Sequence, residues 1–371
     1  MIDWFEPAYK AGGPVRTVSN MVKLLQDHYD ISIFTGDRDL GEEHSLPGIA
    51  LNEWVPFDRR MKIFYATPEN LTWSNIAGVI RSTDPNFVYC SGMFSRYSSI
   101  YPVFMKRFGK CGATLILSPH GMLKPSALSF KPLKKQLFLQ LFKLLQLPGY
   151  IRFHATDKTE VEDIRTQFGG VEILSAMDAP APFPTEIKMI AKSQGALSIL
   201  FVGRVHPVKN LYLLIDALKE VRSLIRLTII GPVEDQAYWD SCSQLIKELP
   251  ENITVDYLGE VKHEKILSYV VDHHIYSLPT KGENFGHSIY EALTCGRPVL
   301  ISDQTPWTDL TENKAGWDIS NGDVGEYSKA IEDAAGWTDQ VYVSWVNGAR
   351  RYVEQKINFG QIFEQYNKVF S

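Results

Sequence analysis

The chain has 371 residues, of which 44% are hydrophobic and 22% charged, and its formal net charge is −5. That length exceeds one ordinary core and suits two α/β domains of roughly 150–200 residues each. The acidic balance lacks the basic excess expected if nucleic acid were the main partner. Cys90, Cys111, Cys242 and Cys295 are scattered, with no C-x-x-C pair and no histidine at finger spacing. This argues against a zinc site or a disulfide framework and for reduced thiols. The opening residues carry no basic, then apolar, leader, and no run approaches the ~20 apolar residues of a spanning helix, so a cytoplasmic protein is expected.

In chain order, the first half predicts a helix over Val15–Asp27, strands at Ile31–Phe34, Val88–Cys90 and Thr114–Leu117, and a long helical segment Leu133–Leu145. Asp178–Pro184 is rich in Pro and Ala, which discourages regular structure and marks a hinge. The boundary is placed there, giving domains 1–184 and 185–354. The second half alternates more regularly. Strands are expected at Leu197–Val202, Leu227–Ile230, Ile253–Leu258, Ile275–Leu278 and Pro298–Ile301. Helices are expected at Leu211–Val221, Trp239–Leu249, near Glu264–Val271 and at Ser288–Cys295. Apolar strands alternating with amphipathic helices imply a parallel sheet covered on both faces.

Two segments carry chemistry. The strand at Leu197–Val202 runs into Gly203-Arg204 and, further on, Lys209, so two cations sit past a strand's carboxyl end, where open parallel sheets bind ligands. They suit a diphosphate, although solvated surface charges would look the same. After Ile275–Leu278 come Gly282, Glu283, Asn284, Phe285 and Gly286, then a helix containing Glu291. Amide groups at that helix start could hold phosphate oxygens. Glu283 could reach sugar hydroxyls and Glu291 a ribose diol, which needs two adjacent acceptor oxygens. Taken alone, each acid reads more simply, Glu283 as an acid near the helix start favoured by the dipole and Glu291 as an exposed helix residue.

Taken in order and after strands, G-R-x4-K-N and E-N-F-G-x4-E-A-L-x2-G-x-P-V resemble the retaining glycosyltransferases of family 4. The likeness is close in the C-terminal domain and looser before it. It implies the GT-B fold, two Rossmann-like domains with parallel sheets facing each other across a deep cleft. It also implies that Arg204 and Lys209 bind the donor diphosphate, that Glu283 contacts the donor sugar near the reacting carbon, and that Glu291 holds the ribose. In the N-terminal domain Gly12 and Gly13, before a helix, would let backbone approach a phosphate or acceptor, or simply form a tight turn. His120, after Thr114–Leu117, would face the donor sugar, with Lys124 and Arg96 near the acceptor. Two departures stand out. Met1-Ile2-Asp3 is only a stub where the first strand is expected, and Ser175-Ala176-Met177-Asp178 replaces a common Asn-Gly pair.

The expected reaction moves a sugar from a nucleoside-diphosphate sugar to a hydroxyl acceptor, a saccharide or lipid-linked saccharide, and the resemblance implies a role in bacterial surface polysaccharide or lipopolysaccharide synthesis. No cofactor or metal is expected, since no D-x-D pair stands in a loop where it could hold Mg²⁺. The rivals are a GT-B nucleotide-sugar epimerase, for which extra acid/base carboxylates are lacking, and a non-catalytic sugar-nucleotide-binding subunit. A dehydrogenase is disfavoured because no G-x-G-x-x-G follows a strand. Residues 131–146 place Lys131, Lys134, Lys135 and Lys143 among Leu and Phe at helical spacing. Such a helix either packs on the N-terminal sheet or lies on the inner face of an acidic membrane as a peripheral contact. By resemblance, a last helix within about 355–371 crosses back to brace the N-terminal domain.

Overall fold

The computed structural model describes residues 1–129 and 131–371, apart from the side chains of Ser126, His263 and Glu264. The chain divides into two units, residues 1–180 with 359–371, and residues 181–358.

Unit 1 contains α1 (Gly13–Leu25), β1 (Ile31–Gly36), β2 (Trp54–Asp58), β3 (Met61–Ala66), α2 (Trp73–Thr83), β4 (Phe87–Ser91), α3 (Tyr101–Arg107), β5 (Thr114–Ser118), α4 (Pro125–Leu128), α5 (Pro132–Leu144), β6 (Arg152–Ala155), α6 (Lys158–Phe168) and β7 (Ile173–Ser175). One sheet runs β4-β5-β6-β7, all parallel, and a second runs β1-β3-β2. The parallel expectation fails at one edge, where β2 pairs antiparallel with β3. The short turn between Asp58 and Met61 allows only a hairpin, because a parallel return needs a crossover.

The stub Met1–Asp3 lies between these two sheets and is hydrogen-bonded to both. Ile2 N–H donates to the Phe34 carbonyl at 3.1 Å and Gly36 N–H to that of Asp3 at 3.2 Å. On the other side, Ser91 N–H reaches the Met1 carbonyl at 3.1 Å. Three residues thus join β1 to β4, and the strand order around them reverses.

Unit 2 contains β8 (Ala196–Val202), α7 (Leu211–Leu218), β9 (Leu224–Ile230), α8 (Gln236–Lys247), β10 (Ile253–Tyr257), α9 (His263–Val271), β11 (Ile275–Leu278), α10 (His287–Thr294), β12 (Val299–Ser302), β13 (Gly316–Ile319), α11 (Val324–Gly336) and α12 (Asp339–Lys356). Its six strands are parallel in the order β10-β9-β8-β11-β12-β13. All four residues of β11 and of β12 are buried, as expected for central strands covered on both faces. Successive strands step outward from β8 to β10, then the chain returns to the other side of β8. The switch point therefore lies between β8 and β11.

The division falls at Pro180, four residues before the expected boundary. Ala181–Pro184 is already held by unit 2: the Tyr290 hydroxyl donates to the Ala181 carbonyl at 2.5 Å, and Arg350 to that of Pro184 at 3.0 Å. At the other end α12 continues to Lys356, and the chain re-enters unit 1 only with α13 (Phe359–Val369). There Tyr366 packs edge-on against His154 at 5.5 Å and Gln365 accepts from Met177 N–H at 3.1 Å.

Asp178, in the segment read as a hinge, is buried in unit 1, with one carboxyl oxygen unpartnered among the described residues. Burial, and then the negative charge of Glu160, push its pKa up to about 8 against a hydrogen bond from Thr17. A carboxyl whose pKa is raised on folding stabilises the fold fully below its unfolded value, and the contribution is lost as pH rises through about 8. Wild-type protein should therefore lose unit-1 melting temperature between about pH 5 and pH 8 relative to Asp178→Asn, whose profile should be flatter. Parallel pH profiles of the two proteins would contradict this origin.

Candidate active site

Both sequence motifs emerge from the strands that flank the unit-2 switch point. Gly203 follows β8 and the Glu283 loop follows β11, the place where open α/β sheets leave a crevice at their carboxyl edge. The link between the two strands is Tyr276, which is 1% exposed within β11. Its hydroxyl donates to the Val202 carbonyl at the end of β8 at 3.1 Å and shares a hydrogen bond with Ser288 Oγ, in the first turn of α10, at 2.8 Å. Burial, and then the negative charges of Glu283 and Glu291, hold this phenol well above its ordinary pKa. One buried hydroxyl therefore lies near both acids of the second motif.

The two loops are also joined along their backbones. Lys281 N–H donates to the Val208 carbonyl at 2.7 Å, and Thr280 Oγ1 donates to the same carbonyl at 3.2 Å. Glu283 N–H is anchored on the Gln304 carbonyl at 3.1 Å. Over this framework the Lys209 side chain passes Gly203, where a Cβ would stand 3.6 Å from Lys209 Cγ, and its ammonium forms an ion pair with Glu283. The two side chains are 20% and 15% exposed, which makes the pair stronger than a solvated one.

The remaining residues fall into different settings. Glu291 is half-buried in α10. Arg204 does not join the Lys209–Glu283 pair; it is about half exposed and bridges to Glu234 at 2.5 Å. The Phe285 side chain is buried against Trp307 and Tyr290, and its carbonyl accepts from Trp307 Nε1 at 2.6 Å. Gly286 has φ +76°, and a Cβ there would approach Ile289 Cδ1 at 2.9 Å, so the glycine serves the entry into α10. Asn284 is half-buried beside it.

The loops after β9 and β10 meet at this edge as well. Gly231 N–H donates to the Gly259 carbonyl at 2.8 Å, and the Tyr257 hydroxyl to that of Gly231 at 3.0 Å. Val205 N–H reaches the Pro232 carbonyl at 2.9 Å, so the Gly203–Val205 segment is laced to the same strand ends.

In unit 1, Gly12 is the N-cap of α1 with φ +68°, a conformation that favours glycine, and Gly13 is exposed. The preceding turn is held by the buried Asp39, which accepts from Tyr9 N–H at 2.9 Å and Lys10 N–H at 3.1 Å. His120 sits after β5 with φ +49°, and its Nδ1 faces Ser118 Oγ at 3.4 Å. The next amide, of Gly121, donates at 2.6 Å to Glu160, a fully buried side chain that also accepts from Thr156 N–H at 2.8 Å. The Arg96 guanidinium lies 5.4 Å over the Tyr101 ring, and Lys124 is the N-cap of α4.

Tyr276, Asp39, Glu160 and Trp307 escape a reading of the sequence. A signal existed for the first: a tyrosine in a strand otherwise reading as fully buried must find a partner for its hydroxyl. Asp39 and Glu160 act on loops distant in sequence and leave no local pattern.

Solved structures share this architecture across nearly the whole chain. WaaG, a glycosyltransferase involved in lipopolysaccharide biosynthesis, superposes with a TM-score of 0.68 at 10% identity, covering 100% of this chain and 98% of that one. HepE of Anabaena, in complex with UDP-glucose, gives 0.68 at 16% identity, covering 99% and 98%. The chain has the GT-B fold, built from two Rossmann-like α/β units. Residues 183–337, which hold both motifs, match the family Glycosyl transferases group 1. The D-inositol 3-phosphate glycosyltransferase of Gordonia bronchialis is 24% identical over 225 residues, 55% of this chain and 48% of that protein. The chain spans about half the length, or less, of the curated relatives it matches.

Gly231 tests the geometry at this edge. Its φ is +146°, and a Cβ would stand 2.0 Å from the Gly203 carbonyl oxygen. Gly231→Ala should therefore cost unit 2 about 3 kcal/mol or more, read as a lowered melting temperature. An unchanged transition would mean that the two loops need not approach so closely.

Proposed function

We propose that this chain is a retaining glycosyltransferase that moves a sugar from a nucleoside-diphosphate sugar to a hydroxyl acceptor, in the cytoplasmic assembly of a bacterial surface polysaccharide or lipopolysaccharide. The observation that carries this reading is the Lys209–Glu283 ion pair at the β8/β11 switch point, which brings a cation of one motif against an acid of the other. The match of residues 183–337 to Glycosyl transferases group 1 covers the same loops. The UDP-glucose complex of HepE supports the donor class, and the part WaaG takes in lipopolysaccharide biosynthesis supports the pathway class.

In this reading the pair is the resting state of the donor site. An arriving diphosphate takes over the Lys209 ammonium, and a sugar hydroxyl takes over the Glu283 carboxylate, so neither charge is left without a partner. Arg204, released from the solvent-facing Glu234, adds a second cation, and the amide groups opening α10 face the phosphates. As the sugar–phosphate bond breaks, negative charge builds on the diphosphate, and cations positioned there stabilise the transition state more than the ground state. They supply the neutralisation for which other enzymes use a metal ion. Glu291 would accept from the ribose hydroxyls.

Thermal shift with UDP and UDP-sugars, combined with transfer assays, tests the assignment. UDP should raise the melting temperature of the wild type, since a ligand that binds only the folded state stabilises it. Lys209→Ala should weaken UDP binding roughly tenfold to a hundredfold, the worth of one hydrogen bond between charged groups. Glu283→Ala should keep UDP binding but abolish transfer. Wild-type turnover in Glu283→Ala, or a shift with NAD(H) in place of nucleoside diphosphates, would sink the reading.

A further inference from the structure

The buried hydroxyl of Tyr276 has two partners and one proton. The Val202 carbonyl, 3.1 Å away, can only accept, whereas Ser288 Oγ, at 2.8 Å, can accept or donate. When the phenol donates to Val202, the serine gives its own proton to the phenol oxygen. When the phenol donates to Ser288, the serine proton has to find another acceptor. Burial, together with the charges of Glu283 and Glu291 and against the Ser288 hydrogen bond, raises the pKa of the phenol, so its proton stays in place.

Ser288 occupies the stretch between the two acids of the second motif. It is half-buried, in the first turn of α10, and Glu291 follows three residues later on the same face of the helix. Glu283 lies on the loop leading into that helix, and both acids act on the phenol that touches Ser288. With sugar hydroxyls at Glu283 and the ribose at Glu291, the part of the donor that falls between them is the diphosphate. Its ionised oxygens accept, so a hydroxyl beside them has to donate.

We propose that the Ser288 hydroxyl donates to a phosphate oxygen of the bound donor and that Tyr276 is the positioning residue that frees its proton, a step that rests on the donor reading of this edge. As the diphosphate arrives, the Tyr276 O–H turns from the Val202 carbonyl to Ser288 Oγ, and the Ser288 O–H turns from the phenol to the phosphate. Both movements are rotations about C–O bonds. Each proton stays on its own oxygen, and two hydrogen bonds are exchanged for two. A chain of hydroxyls that ends on an anion also strengthens each link by polarising the next. The serine thereby adds a side-chain donor to the ammonium of Lys209 and the amides that open α10.

Titration calorimetry of the full chain with UDP, UDP-glucose and uridine tests both roles. Ser288→Ala should weaken UDP binding about tenfold, the contribution of one hydrogen bond to an anion, while uridine, which has no phosphate, binds as to the wild type. Ser288→Thr keeps the hydroxyl and should restore most of the affinity. Tyr276→Phe should weaken UDP binding about threefold, because the serine must then select one of three staggered rotamers unaided, and should change it no further in the Ser288→Ala background. A merely structural tyrosine would lower affinity equally in both backgrounds, and for uridine as well. Three outcomes overturn the proposal: wild-type UDP affinity in Ser288→Ala, an equal loss for uridine, or additive losses in the double variant. If UDP-glucose alone lost affinity in Ser288→Ala, the serine would belong to the sugar instead. A wild type that does not bind UDP at all would sink the donor reading itself.

Discussion

The candidate site depends on one buried hydroxyl. Tyr276 is buried in a central strand, and its hydroxyl finds its partners at the carboxyl end of β8 and in the first turn of α10. A parallel sheet alone brings strand ends to a common edge, but it does not determine how closely the loops beyond them approach. The phenol does so by tying one strand end to the helix that follows its neighbour. The backbone bonds from the 280s loop to Val208 then hold the loops in register, and the Lys209–Glu283 pair closes above them.

Charge at this edge is arranged in ion pairs. Lys209 rests on Glu283 and Arg204 on Glu234, so each of these cations has an acid beside it. The two pairs differ in exposure, and the difference matters physically. A half-exposed bridge such as Arg204–Glu234 is screened and easily opened. The better buried Lys209–Glu283 pair costs more to separate unless something replaces both partners at once, which is what a ligand with a phosphate at one end and hydroxyls at the other can do.

Unit 1 uses buried carboxyl groups differently, as clamps on loops rather than as partners of cations. Asp39 holds the turn before Gly12, and Glu160 holds the amide after His120. Both are enclosed and satisfied by backbone N–H groups, which fixes loop shapes that α1 and β5 could not impose on their own. Asp178 is the exception, buried within reach of the Glu160 charge with an oxygen lacking a partner among the described residues, and its neutral form is favoured for that reason.

Much of unit 2 is legible in the sequence because its strands are short apolar runs between helices with one apolar face, and Ile275–Leu278 has the same limits in both. The two motifs at the carboxyl edge are legible because they follow strands directly. Unit 1 is less so: the β2–β3 hairpin, β6, β7 and α6 carry weaker periodicity and escape notice, since their burial comes from neighbours distant in sequence. Periodicity and motif spacing by themselves determined the α/β class, the alternation of unit 2 and the residue types at its carboxyl edge. Only the tertiary structure decided which side chains meet. It paired Lys209 with Glu283 across 74 positions of sequence, sent Arg204 to Glu234 and buried Phe285. Contact between such loops depends on sheet order and on the satisfaction of buried polar groups. Neither property is written in any local stretch of the chain.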